Sequence, residues 1–473
     1  MKRSYPFLAV MLLLAAGALN AAAPSRIDGT VPSRNDGTVP SRSDGTVPSR
    51  TGETGFRREA VTVRQLDNGL KILLYEDHDI PNIAYYTFFR VGSRNERPGL
   101  TGVSHFIEHM MFNGSAAFGP GEFDRIMEFN GGANNAYTSD DLTAYTNWFP
   151  RAALEKMMAM EADRMRGLLF DPQVLESERG VIASERRLGD NDNDSLLDET
   201  VRATAIMAHP YHWSVIGWMS DILGWRRDEI QSYFRTYYAP NNAVLIVVGD
   251  FETEALMALI RKYYGDIPRG TPPPAVTTSE PPQIGPRRVQ LRKAAQIPSF
   301  LAVYHVPAVG HADFAALSLL ETILLRGESS RLYRRLVSDA QLAIGVSGGV
   351  SPTIDPFLFY IQVKPRPGAD LELLEKTIEE ELARLQGGGV TPLEMEKALN
   401  AARTGFYAPL QTIAGKANML GQAELVYGGF ANLFTIVDRF AAVTPTQVQE
   451  ACRKYLSPDN KTVGTLVAEG GAQ

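Results

Sequence analysis

At 473 residues the chain is too long for one hydrophobic core, since single domains stop growing near ~250 residues, and two or more domains are expected. Hydrophobic residues at 44%, charged at 21% and aromatic at 9% exclude a wholly disordered, collagen-like or polytopic membrane chain. The 47 Lys and Arg against 54 Asp and Glu leave a net charge of −7, with no general attraction to nucleic acid or anionic membrane, and the single cysteine, Cys452, excludes an intrachain disulfide or a thiolate metal cluster. Any metal must be held by His and carboxylate.

In chain order, Lys2 and Arg3 precede an apolar run from Tyr5 to Leu19 and then Ala21, Ala22 and Ala23, the order of a secretory signal. The run is shorter than the roughly 20 residues that span a bilayer, so cleavage of residues 1–23 and export to a periplasm-like space are expected over an uncleaved anchor. No cysteine follows to accept a lipid. Residues 24–58 hold three octapeptides, SRIDGTVP, SRNDGTVP and SRSDGTVP, then the degenerate SRTGETG. They carry too little apolar surface to offset ordering, and a flexible segment is expected.

From Val61, VTVRQLDNGLKILLYE reads as a hairpin turning at Asp67-Asn68-Gly69. It opens a globular stretch over residues 59–267. The segment 268–288, PRGTPPPAVTTSEPPQIGPRR, can continue neither a helix nor a central strand and is the expected linker. A second body over 289–470 looks like a copy of the first, shifted by roughly 217 residues. Ile80-Pro81 recurs as Ile297-Pro298, and RTYYAPNNAVLIVV from Arg235 recurs as RKYLSPDNKTVGTLV from Arg453. Thr391, Pro392 and Glu394, and again Thr444, Pro445 and Gln447, mark helix starts with a cap, a first-turn proline and a capping-box partner. Strands mixed with amphipathic helices in both bodies predict an α+β protein of two related domains.

The chemistry-bearing segment is GVSHFIEHMMFNG, Gly102 to Gly114. On a helix His105 and His109 lie one turn apart, with Glu108 on the same face, so two imidazoles and a carboxylate point into one volume suited to a first-row divalent cation. A catalytic zinc takes three protein donors, so a third must come from elsewhere. FDPQVLESERGVIASERRLG, Phe170 to Gly189, reads as a helix started by Asp171-Pro172 with Glu178 and Glu185 on one face. The two are about 10 Å apart along the axis, so one is a ligand and the other supports from behind.

HFIEHMMFNGS, NNAYTS from Asn134 to Ser139, and SERGVIASE, ending 76 residues after His109, resemble the inverted-zincin peptidases grouped with pitrilysin, insulin-degrading enzyme and mitochondrial processing peptidase. The resemblance runs from about Val61 onward and includes HPYHWSVIGW, His209 to Trp218. It implies two homologous α+β domains of the LuxS/mitochondrial-processing-peptidase-like metallohydrolase type, facing each other across a cavity. It also implies zinc held by His105, His109 and Glu185, with Glu178 supporting the ligands, and hydrolysis of peptides or unfolded segments by a water that Glu108 activates as general base. GGANNAYTS resembles the family's edge strand, to which a substrate peptide adds as a further strand, with Asn135 and Ala136 as the substrate-binding positions.

The second half departs from that pattern. In active single-chain relatives it supplies an Arg and, seven residues on, a Tyr; here Val337 and Ile344 align with them, or Arg331 or Tyr333 in a shifted register. A homologous subunit carrying the missing pair is therefore expected, with a second copy of this chain as the other arrangement. The helix matching the histidines carries Ser318, Glu321 and Thr322, so this half is expected to be structural. The rival functional reading is a non-catalytic assembly or peptide-binding subunit that keeps zinc for stability. Asp190, Asp192 and Asp194 lack the Gly and Glu of a calcium loop. Gly387-Gly388-Gly389 reads as a helix-to-helix loop, and His78, His305 and His311 as surface or packing residues. His209 and His212 receive no role.

Overall fold

The computed structural model describes residues 56–293 and 298–468. The expected signal sequence, the octapeptide repeats and Ile297 lie outside them. Strands β1 (Thr62–Gln65) and β2 (Lys71–Glu76) form the hairpin about Asp67, with Gln65 opposite Lys71. The Asn68 side chain fastens this turn by donating to the carbonyls of Tyr264 and Ile267.

The first half continues with β3 (Asn82–Phe89), β4 (Ala133–Thr138), β5 (Thr143–Pro150) and β6 (Ala243–Gly249). Its helices of eight residues or more are α1 (Val103–Met110), α2 (Glu122–Phe129), α3 (Leu154–Gly167), α4 (Pro172–Asn191), α5 (Asn193–Ala205), α6 (Arg227–Tyr237) and α7 (Thr253–Tyr264). The second half has β7 (Arg287–Lys293), β8 (Ser299–Val306), β9 (Ala343–Val350), β10 (Phe357–Pro365) and β11 (Lys461–Ala468). Its long helices are α8 (Phe314–Leu325), α9 (Leu371–Gly388), α10 (Pro392–Tyr407), α11 (Ile413–Leu425) and α12 (Pro445–Tyr455). No helix among the described residues is long and apolar enough to cross a membrane.

The two sheets run β1-β2-β6-β3-β5-β4 and β7-β11-β8-β10-β9. Apart from β1 their pairings coincide: one parallel pair, β2 with β6 or β7 with β11, and antiparallel neighbours beyond it. The likeness extends to single side chains. Asn242 donates to the carbonyls of Tyr237 and Arg90, and Asn460 donates in the same way to those of Tyr455 and His305. Each Asn, just before its central strand, thereby ties that strand's start to the end of the preceding helix and to the end of the neighbouring β3 or β8.

Each sheet buries one face under its own helices. The other face is covered by a helix from the opposite half. α11 packs on β3 and β6, where Leu420 and Ala417 join Phe88, Val244 and Ile246. α5 packs on β7, β8 and β11, where Val201 and Leu197 join Val303 and Leu466. This explains why β6 reads AVLIVVG without alternation: every residue is buried. Glycines permit the close approach. A Cβ on Gly421 would stand 2.2 Å from the Phe88 ring, and one on Gly464 2.1 Å from Val201 Cγ2. A sheet apolar on both faces needs two covers, and here the second cover comes from the opposite half.

Ion pairs rim the exchange. Glu424 of α11 accepts from Lys71 at 2.6 Å and Arg90 at 3.0 Å, and Lys416 reaches Asp77 at 2.5 Å. Residues 268–286 form neither helix nor strand. Glu280 within them nevertheless accepts the backbone N–H groups of Met207, Ala208 and His209.

Candidate metal centre

α1 follows β3 and turns Val103, Phe106, Ile107 and Met110 into the first-half core. Its N-terminus has no side-chain cap of its own. Glu96 supplies one, accepting the N–H groups of Gly102 and Ser104 at 2.7 and 2.8 Å. Burial pushes this carboxyl up to about 8, against the pull of the two backbone donors. With its apolar face fixed inward, α1 presents His105, Glu108 and His109 on the remaining half-buried face. The two imidazole centroids are 4.7 Å apart and nearly perpendicular.

α4 begins, as its sequence indicates, at Asp171, whose side chain accepts from the N–H groups of Gln173 and Val174. Two arginines set its rotation. Arg179 donates to the carbonyls of Ile222 and Trp225, and Arg186 makes a two-pronged contact with Glu199, both bonds 2.7 Å. Glu178 and Glu185 then face α1. Glu178 Oε1 lies 2.8 Å from His109 Nδ1, and its Oε2 accepts from Asn113 at 3.0 Å. This occupies Nδ1 and leaves Nε2, which stands 3.8 Å from Glu185 Oε2. Donor atoms of His105, His109 and Glu185 all lie within 4.8 Å of one another.

Electrostatics suit a cation. Burial, with His109 beside it, pulls the His105 imidazole down to about 3, so it stands neutral, and its Nδ1 is buried without a partner. Burial also lowers His109, but the bond from Glu178 and the charges of Glu185 and Glu108 outweigh it and leave the ring above its ordinary value. Glu185 is raised by burial, partly offset by His109. Two imidazoles and a carboxylate are a zinc donor set that leaves a coordination position open, and a carboxylate on the far nitrogen of one imidazole is the usual support for such a ligand. The residues present fit a zinc ion.

Glu108 accepts the Thr138 hydroxyl on Oε2 at 2.6 Å. Burial raises its carboxyl to about 7, with that hydrogen bond opposing. Thr138 ends β4, which is the outer strand of its sheet. Ala136 pairs with Tyr145, shares the face of Thr138 and packs partly on the first-half core. Asn135 pairs with Thr146 and is exposed on the opposite face. Its neighbour on that face, Tyr137, donates to Asn418 and accepts from Gln422, both on α11.

The structure therefore brings His105, Glu108, His109, Glu178 and Glu185 together, with Ala136 on their side of β4 and Asn135 on the other. Thr138 and Asn113 join them. Both lie inside stretches already singled out, NNAYTS and HMMFNG, but nothing in their spacing names their partners. Of the four second-half positions, Val337 packs on that half's core and Ile344 is exposed on β9. Arg331 is committed to Glu394 at 2.6 and 2.8 Å and to the Gly389 carbonyl, and so anchors the start of α10. Tyr333 is half-buried beside it.

Residues 71–217 match the family described as Insulinase (Peptidase family M16), and residues 224–402 match the Peptidase M16 inactive domain. The zinc protease PqqE of Helicobacter pylori is 32% identical over 413 residues, 86% of this chain and 92% of that protein. Among solved structures, a protease from Helicobacter pylori superposes with a TM-score of 0.83 at 29% identity, over 86% of this chain and 99% of that one. The periplasmic protease PqqL of Escherichia coli shares the fold with a TM-score of 0.73 at 21% identity, and the match spans 86% of this chain but 48% of PqqL.

Proposed function

The chain belongs to the insulinase (M16) peptidase family, and from that membership we propose that it is the zinc-bearing, catalytic subunit of an exported endopeptidase. The observation that carries this reading is the convergence of three donors within 4.8 Å beside a carboxyl held by the outer strand of a sheet. His105, His109 and Glu185 hold the ion, and Glu178 orients His109 through Nδ1. Zinc in this place supplies a Lewis acid that polarises a peptide carbonyl and makes water acidic enough to attack near neutral pH. Glu108 takes the proton of the attacking water on Oε1, the oxygen Thr138 leaves free, and can return it to the departing amine. β4 receives the substrate backbone along its outer edge at Asn135 and Ala136; backbone pairing is tolerant of side chains, which favours peptides and unfolded segments as substrates.

The proposed division of the chain is a signal over 1–23, a flexible segment over 24–58, a zinc-bearing half over 59–267, a linker over 268–288 and a supporting half over 289–470. Export rests on the N-terminal sequence and leads to the periplasm. A homologous subunit, or a second copy, supplies the Arg and Tyr that Val337 and Ile344 replace; a fold of this size spanning 48% of PqqL is consistent with two such units working together.

A second reading, a peptide-binding subunit whose zinc is structural, draws on the match of residues 224–402 to an inactive-domain family. Substituting Glu108→Gln separates the two. The catalytic reading expects unchanged zinc content by elemental analysis and a loss of peptide cleavage of roughly a thousandfold. Cleavage at the original rate would refute it.

A further inference from the structure

Tyr211 lies in the HPYHWSVIGW stretch, outside the metal centre, and is fully buried. Its hydroxyl joins the two halves. It donates to Asp141 Oδ1 at 2.5 Å and accepts the N–H of Asp355 at 3.3 Å, while Asp141 Oδ2 accepts the N–H of Ile354 at 2.9 Å. His209 reinforces the junction: its Nδ1 accepts the Tyr211 N–H at 3.1 Å, so Nε2 carries the proton and donates to Asp355 Oδ2, also at 3.1 Å. The Arg94 guanidinium meets the same carboxylate. Asp140, next to Asp141, accepts the Ser93 hydroxyl at 2.9 Å and the Arg202 guanidinium.

Asp140 and Asp141 form the turn between β4 and β5, and Thr138, the last residue of β4, is the donor to Glu108. The geometry points to Tyr211 as a positioning residue: by bridging Asp141 to the second-half loop at Asp355, it holds this turn and so keeps the Thr138 hydroxyl on Glu108. Packing alone does not call for the hydroxyl. The ring already lies against His209 and Phe357, at centroid distances of 4.4 and 5.0 Å, and a phenylalanine would fill the same volume. A buried hydroxyl used as both donor and acceptor is there for its bonds. The connection is short, so movement of the turn is passed on: alternate residues of β4 face opposite sides, and a slip of one residue would turn Thr138 away from α1. On this account the supporting half contributes to the reaction through one tyrosine of the catalytic half.

The inference rests on Glu108 acting as the base, and its test separates the two. Steady-state kinetics with a peptide substrate would compare Tyr211→Phe, Thr138→Val, Thr138→Ser and the Tyr211→Phe/Thr138→Val double variant. Tyr211→Phe should lower kcat roughly tenfold with KM and zinc content nearly unchanged, and Thr138→Val should lower it at least as much, with Thr138→Ser restoring most of the loss. In the Thr138→Val background Tyr211→Phe should cost little more, because the bond it protects is gone. Equal factors in both backgrounds, or an unchanged kcat in Tyr211→Phe, would overturn the proposal. Asp141→Asn, which weakens the link from its other end, should repeat the pattern. Amide hydrogen exchange across residues 137–142 needs no turnover: it should quicken in Tyr211→Phe, and unchanged protection overturns the clamp whether or not Glu108→Gln abolishes cleavage.

Discussion

α1 and α8 hold equivalent places in the two halves, one after β3 and the other after β8, and they differ in what remains unpaired. In α1, Glu108 accepts a hydroxyl from the outer strand β4. In α8, Glu321 accepts the Val350 N–H from the outer strand β9 at 3.1 Å, so the tether of a helix carboxyl to an outer strand occurs twice. Around Glu321, however, Arg326 supplies the positive charge, with Nε and Nη2 at 2.9 and 2.8 Å from Oε1. Ser318 bonds back to the Phe314 carbonyl and Thr322 is buried. Ten residues of α8 are buried against five of α1. One frame thus holds a satisfied ion pair in one half and three convergent donors in the other.

The strongest way to break this comparison is to change equivalent helices in turn. His105→Ala should lose stoichiometric zinc and lower peptide cleavage by roughly a thousandfold, whereas Glu321→Gln should leave both within about twofold. Elemental analysis beside a cleavage assay decides, and metal loss in Glu321→Gln would contradict the division. The exchanged helices offer a second comparison. Gly421→Val forces a side chain into Phe88 and Gly464→Val into Val201, and each should cost about 2–3 kcal/mol or more in denaturant unfolding. Sensitivity in only one would mean that the exchange is not reciprocal in strength.

The smallest effect concerns the junction between the halves. The hydrogen bond from His209, opposed by burial and helped by Arg94, holds the Asp355 carboxyl below its ordinary value of 3.8. A carboxyl depressed on folding adds stability above its unfolded value, and that stability is lost as pH falls through the folded value. Unfolding free energy should therefore drop more steeply below about pH 4 in the parent than in Asp355→Asn; parallel curves would show that this contact contributes nothing.

What the sequence makes legible is what neighbours enforce. The capping boxes at Thr391 and Thr444 and the cap at Asp171 each depend on partners within three positions, and all form. The hairpin about Asp67 and the triplet on α1 are readable for the same reason, through the periods of strand and helix. Thr138 binds Glu108 across 30 positions, Tyr211 binds Asp141 across 70, and Ile354 binds Asp141 across 213. No local pattern encodes such pairings. α5 and α11 are readable as helices, but nothing in their composition says that each would cover the other half's sheet. The apolar runs of β6 and β8 announce two buried faces without naming the second cover. The pairing of Arg331 with Glu394 is hidden for a related reason, since it depends on a helix 63 residues away.

The crossing of α5 and α11 makes the covalent connection between the halves nearly redundant. A chain nicked between 270 and 279 would still sediment as one particle, because each piece keeps a helix lodged beneath its sibling. Synthesised by itself, the leading piece would expose the apolar underside of β3 and β6 to water and precipitate. Each half thus depends on its companion to keep one face of its sheet dry.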